Sequence, residues 1–115
     1  MKRNMNLARD ILFQLEQKNN PLEPLVYKSS EYSEIEVSYH IKLLYEARLL
    51  HAIDASSKGN LSWMAMHLTW EGHEFIDLSR NEKIWKRVLS IAKSKGGGLA
   101  FDILKPLLIK AAESN

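Results

Sequence analysis

Apolar residues recur at helical spacing from the amino end. Met5, Ala8, Ile11, Leu12 and Leu15 share one face of a 3.6-residue repeat and predict a helix over about Asn4–Lys18. Asn4 or Asn6 can cap its start, because a short side-chain oxygen accepts from the free N–H groups there. Asn19-Asn20-Pro21 ends it. Pro21 and Pro24 forbid a new helix until past Pro24, and Leu25-Val26-Tyr27 reads as a short edge strand. The helical pattern resumes at Ser33, where Ser33-Glu34-Ile35-Glu36 reads as a capping box. Val37, Ile41, Leu44 and Ala47 then form an inner stripe to about Arg48. Leu49–Ala55 reads as a strand, and Ser56–Asn60 as a turn in which Gly59 and Asn60 can take positive φ. Leu61–Leu68 is the returning strand, with Met64, Met66 and Leu68 alternating against Trp63, Ala65 and His67. The two strands make a β-hairpin, and this alternation puts Trp63 on the exposed side with His67.

A third helix is expected from after Thr69 to about Ser79. A fourth follows over Asn81–Ser94, with Ile84, Trp85, Val88, Leu89, Ile91 and Ala92 on a broad apolar face. The periodicity leaves open whether the two are continuous or kinked near Arg80-Asn81. Gly96-Gly97-Gly98 marks a break. A last helix covers about Phe101–Ala112, with Pro106 kinking or restarting it. The organisation is thus one domain over residues 1–95 and a glycine-linked helix over 96–115. The apolar face of that helix, Ile103, Leu104, Leu107, Leu108 and Ile109, packs on the same domain or on a partner subunit, a homodimer through terminal helices. Trp70 and Trp85 are expected in the core, which leaves Trp63 as the exception.

Composition narrows the class. With 115 residues, 45% hydrophobic and 26% charged, the chain suits one small domain with its own core. No run of about 18 apolar residues exists to span a membrane. The charged amino end lacks the apolar stretch of a signal peptide. With no cysteine, disulfides, thiolate nucleophiles and cysteine-ligated metals are excluded. Cytoplasmic placement is the default.

The order helix, helix, hairpin, helix is that of a winged helix-turn-helix domain. Val37-Ser38-Tyr39-His40-Ile41-Lys42-Leu43-Leu44-Tyr45-Glu46-Ala47-Arg48-Leu49-Leu50 resembles the recognition-helix end of bacterial winged-helix repressors, roughly V-S-x-H-L-K-x-L-x-E-A-G-L-[IV]. Leu68-Thr69-Trp70-Glu71-Gly72-His73-Glu74-Phe75-Ile76 resembles the L-T-x-x-G-x-x-[FL]-[LI] that follows the wing in many of them. As a whole, the chain also resembles an uncharacterised bacterial and phage family of unknown function. The resemblance implies an α+β fold, a winged-helix core with additional C-terminal helices. It also implies DNA binding of a transcription-regulator kind, with Ser38, Tyr39, Lys42 and, more weakly, His40 facing the major groove, and Lys58 at the wing tip reaching a phosphate or the minor groove. Two departures stand out. The helix that should precede the recognition helix has no room after Pro24. Arg48 stands where the pattern has the glycine that accepts a left-handed C-cap.

Charge is split along the chain. Glu23–Glu36 holds four acids and one base; Arg80–Lys95 holds six bases and one acid. DNA affinity comes largely from basic groups, so the second stretch, with Arg80, Lys83, Lys86 and Arg87, is the candidate for phosphate contacts, against the alternative of a solvated helix face. His73-Glu74 begins like a zinc-protease motif, but Asp77 stands where the second histidine belongs. His40, His51, His67 and His73 lie too far apart in sequence to define a cluster. No catalytic, metal or cofactor signal remains, and no enzyme is expected. The expected function is double-stranded DNA binding, with a protein-interaction module on a winged-helix scaffold as the alternative.

Overall fold

The computed structural model describes residues 1–94 and 101–113; Lys95 and the three glycines lie outside them. The elements are α1 (Met5–Gln17), α2 (Glu34–Glu46), β1 (Leu50–Asp54), β2 (Trp63–Leu68), α3 (Trp70–Ser79), α4 (Glu82–Ser94) and α5 (Phe101–Glu113). The class is α+β. The chain divides into two compact units, Met1–His73 and Glu74–Asn115.

In the first unit α1 and α2 pack on each other, α1 also packs on β2, and α2 packs on both strands. Leu7, Ile11 and Leu12 of α1 and Leu44 of α2 are almost wholly buried, together with Leu50 and Ala65 of the hairpin. Asn4 caps α1, its side chain accepting from the N–H groups of Asn6 and Leu7. The capping box at α2 is complete, since Ser33 accepts from the Glu36 N–H and Glu36 accepts from the Ser33 N–H. Each cap satisfies N–H groups that a helix start leaves without partners.

No helix lies between α1 and α2, so the partner helix of a helix-turn-helix is absent. Residues 25–28 form an extended strap instead. They are not the expected edge strand, because they make one ladder-like bond only, from the Leu25 N–H to the Ala65 carbonyl at 2.8 Å. The strap is tied to α1 by side chains. The Tyr27 hydroxyl donates to Asp10 at 2.6 Å, while Gln14 both accepts from the Lys28 N–H and donates to its carbonyl. Burial, and then the bond to Asp10, push the Tyr27 phenol above its ordinary pKa.

α2 ends where the glycine of the family pattern is replaced. Arg48 has φ 64, the left-handed conformation, and is followed by a Schellman closure: Arg48 N–H to Tyr45 carbonyl and Leu49 N–H to Leu44 carbonyl, each 3.0 Å. Leu44 and Leu49 are both buried across this turn. The turn is also the seat of α3. Thr69 donates its N–H to the Leu49 carbonyl and its hydroxyl to the Arg48 carbonyl, and its Oγ1 accepts from the Gly72 N–H. Gly72 lies so close that a Cβ there would stand 2.0 Å from the Leu49 carbonyl oxygen.

The hairpin is antiparallel, with His51 opposite His67 and Ala52 opposite Ala65. Met66 is therefore an extra residue, a β-bulge. The bulge shifts the parity of β2, so Ala65 and Leu68 are the buried positions, and the simple alternation expected along Leu61–Leu68 fails. Trp63 is half-buried, its ring centroid 5.4 Å from that of Tyr45. At the hairpin tip only Gly59 has positive φ, 78°, the requirement of the third residue of a type II turn.

In the second unit α4 packs on α5. A break at Arg80-Asn81 separates α3 from α4, and Asn81 caps α4 by accepting from the Ile84 N–H. Trp85 is wholly buried, edge-on to Phe75, which is edge-on to Phe101. α5 continues through Pro106. Trp70, expected in the core, is 80% exposed at the start of α3.

Candidate nucleic-acid interface

The recognition-helix residues suggested by the family pattern separate into two groups. Ser38 and His40 are buried, at 7% and 2% exposure. The Ser38 Oγ accepts from the Trp63 N–H at 2.6 Å and joins α2 to the first residue of β2. His40 Nε2 accepts from the Asn4 N–H at 2.8 Å, and its Nδ1 lies 2.8 Å from the Glu36 carbonyl. Because Nε2 accepts, the proton is on Nδ1, which donates to Glu36. The ring thus supplies the acceptor for the N-cap residue of α1. Both side chains have structural tasks and neither is open to a base edge, a correction to their expected groove-facing role.

Tyr39 and Lys42 are half-buried on the outer side of α2. The Lys42 ammonium sits 5.9 Å from the centroid of the Tyr39 ring and 3.9 Å from the Glu46 carboxylate. Its charge also reaches Asp54. The Asp54 carboxyl is held below its ordinary pKa, first by hydrogen bonding to the Ser56 side chain and then to the Ser56 N–H. Lys42 is therefore a cation already faced by two acids. A groove of about 460 Å³ between the strap, α2 and the hairpin is lined by Val26, Tyr32, Glu34, Ser38, Asn60 and Trp63, without a base. Lys58 is exposed at the hairpin tip.

The excess of positive charge lies elsewhere. Residues 1–73 carry eight bases and nine acids, whereas residues 74–115 carry eight bases and five acids. On α4, Lys83, Lys86, Arg87 and Lys93 are exposed, as is Ser90 among them. At 100° per residue these five share an arc of about 120°. Trp85, Val88, Leu89 and Ala92 are buried on the opposite side. Glu82 stands at one margin of the basic arc. Arg80 precedes α4 and pairs with Asp77 at 3.0 Å. Among the described residues no three histidine or carboxylate groups are placed to hold a metal ion, and no helix is long and apolar enough to cross a membrane.

Sequence reasoning found each of these cations but not the hidden state of Ser38 and His40. Their partners lie 25 and 36 residues away, and no local pattern reports that. A further pairing it missed is His51 with His67, which only the strand register brings together.

Comparison with known proteins agrees with an uncharacterised family. The profile of the family described as "Hypothetical protein (DUF2513)" matches residues 2–98. A protein of Haemophilus influenzae described as "Uncharacterized protein" is 41% identical over 106 residues, covering 91% of this chain and 90% of that protein. No solved structure matches. With most of its length matched on both counts, the chain belongs to the DUF2513 family.

Proposed function

We propose that this protein is a winged-helix-like DNA-binding module that holds duplex DNA chiefly by its phosphates, through the basic face of α4. The observation that carries the reading is the arc of Lys83, Lys86, Arg87 and Lys93, exposed along a helix whose other side is buried. From Lys83 to Lys93 the helix rises about 15 Å, a length over which a duplex presents several phosphates on either strand. Lys58, exposed at the hairpin tip of the other unit, is a separate candidate for a phosphate contact. α2 adds little sequence reading. Arginine, asparagine and glutamine make the strongest contacts to base edges together with lysine, and α2 has none of the first three. Its one lysine faces Glu46.

The test is binding to unrelated duplexes across a salt series. Four phosphate contacts give a slope of log K against log salt of about −3 to −4. Removing two with Lys83→Ala and Arg87→Ala should lower the steepness by about 2 and weaken all sequences alike. Lys42→Glu should matter much less. Absence of binding at low salt, or loss of binding by Lys42→Glu with the α4 variant unaffected, overturns the reading.

A second reading, a protein-binding surface on the α2–hairpin side, is favoured by the Tyr45–Trp63 ring pair, with Tyr45 45% and Ile53 48% exposed. It requires a partner whose binding is lost on Tyr45→Glu while DNA binding persists.

A further inference from the structure

The register of the hairpin places two histidines directly opposite one another. His51 on β1 and His67 on β2 are cross-strand partners, both exposed, with ring centroids 4.5 Å apart and planes inclined at 42°. Opposed residues of an antiparallel pair project from the same face of the sheet. The two rings therefore extend together into solvent from a backbone fixed by the ladder, with the Met66 bulge immediately beyond. Chelation by two imidazoles on a tetrahedral ion needs ligating nitrogens about 3.3–3.4 Å apart, given metal–nitrogen bonds of about 2.0–2.1 Å. Rings 4.5 Å apart and tilted can bring their outer nitrogens to that separation by side-chain rotation alone.

The orientation of one ring is already set. His67 Nδ1 lies 3.2 Å from the Leu68 carbonyl. A carbonyl can only accept, so Nδ1 bears the proton and Nε2 carries the free lone pair. A ligating histidine is commonly held in this way, its other nitrogen donating to a carbonyl. We infer that His51 and His67 form a two-histidine site for a borderline divalent ion of the Zn²⁺, Ni²⁺ or Cu²⁺ class. Imidazole nitrogen suits these ions, whereas hard ions such as Mg²⁺ and Ca²⁺ select oxygen. The other coordination positions belong to water or to a molecule the ion recruits, since no third protein ligand joins the pair among the described residues. His73 shares a groove with His67, Leu15, Glu16, Lys18 and Pro21 and serves as the control.

The experiment is a Zn²⁺ titration of the full, untagged chain, read by NMR of the imidazole nitrogens, with Ni²⁺ and Mg²⁺ in parallel calorimetry. The expected result is concerted movement of the His51 and His67 signals with a single dissociation constant, tighter for Ni²⁺ than for Mg²⁺ by at least tenfold. His51→Gln and His67→Gln should each weaken Zn²⁺ binding at least tenfold, because one imidazole loses the chelate. His73→Gln should leave it unchanged. Amide spectra of the variants establish that the hairpin remains folded. No movement of the two rings at millimolar Zn²⁺, equal binding by the His51→Gln variant, or movement of only one ring overturns the site and leaves a stacked pair that stabilises the hairpin.

Discussion

Alanine at Gly72 offers a test in which helix propensity and tertiary packing predict opposite signs. Gly72 sits in the first turn of α3, and glycine inside a helix ordinarily costs about 1 kcal/mol relative to alanine. Propensity alone therefore predicts that Gly72→Ala stabilises. The structure predicts the reverse, because the new Cβ would lie 2.0 Å from the Leu49 carbonyl oxygen and 3.1 Å from its carbon. These are backbone atoms of the Schellman turn, so no side chain can rotate away. The start of α3 must move by about 1 Å or more, out of reach of the bonds from Thr69 to the Leu49 and Arg48 carbonyls, now 3.2 and 2.7 Å. Each contributes about 1 kcal/mol, and overpacking adds about 1–3 kcal/mol. Set against the propensity gain, the net loss is about 2–4 kcal/mol. Urea unfolding followed by tryptophan fluorescence measures it, with Gly59→Ala as the comparison. At Gly59 there is nothing within 4 Å, and only the left-handed backbone costs alanine about 1–2 kcal/mol. A Gly72→Ala protein as stable as the parent, or more stable, refutes the close-approach argument.

Arg48→Gly should stabilise by about 1 kcal/mol, because φ 64 strains any residue with a Cβ; a raised urea midpoint at unchanged slope is the expected result. His40→Ala should cost about 2–4 kcal/mol through the emptied space and the unpaired Asn4 N–H, and the amide of Asn4 should lose its protection against hydrogen exchange. Tyr27→Phe removes a bond to a carboxylate and should cost about 1.5–3 kcal/mol at neutral pH. Because the folded-state pKa of Tyr27 is raised, its contribution is complete below the unfolded value near 10 and is lost as pH rises beyond it. The stability gap between parent and Tyr27→Phe should therefore narrow above pH 10, by at most about 1.4 kcal/mol per pH unit; a constant gap would show that the phenol is unshifted.

Helices were legible in the sequence because their determinants are local. The stripe of Met5, Ala8, Ile11, Leu12 and Leu15 and the Ser33–Glu36 box act within a few residues. What was not legible depends on distant partners. Leu25 meets Ala65 across 40 residues of chain, and one bond does not make a strand. The bulge at Met66 is a property of register, which a single strand's alternation cannot report. Trp70 falls in an α3 turn that faces solvent, so its size predicted burial and its position decided against it. The same limit governed the site. Lys83, Lys86 and Arg87 could be placed on one face from helical period alone, whereas the commitments of Ser38 and His40 could not.

The resemblance to winged-helix repressors takes on a different meaning once these commitments are known. Val37, Ile41, Leu44 and Leu49 are buried, Ser38 joins α2 to β2, and His40 joins α2 to the start of α1. The glycine of the pattern corresponds to Arg48 in its left-handed turn. In the second segment, Thr69 and Gly72 seat α3 against that turn. The matching residues thus build the junctions between α1, α2, the hairpin and α3, and a sequence can keep all of them while the outer side of α2 changes freely. Here that outer side carries Glu34, Glu46 and a paired Lys42, whereas α4 carries four exposed cations, Lys83, Lys86, Arg87 and Lys93, on one face. A pattern made of junction residues is evidence for architecture. Evidence for what the protein holds must come from the positions the pattern leaves open, and on this chain those positions direct attention from α2 to α4.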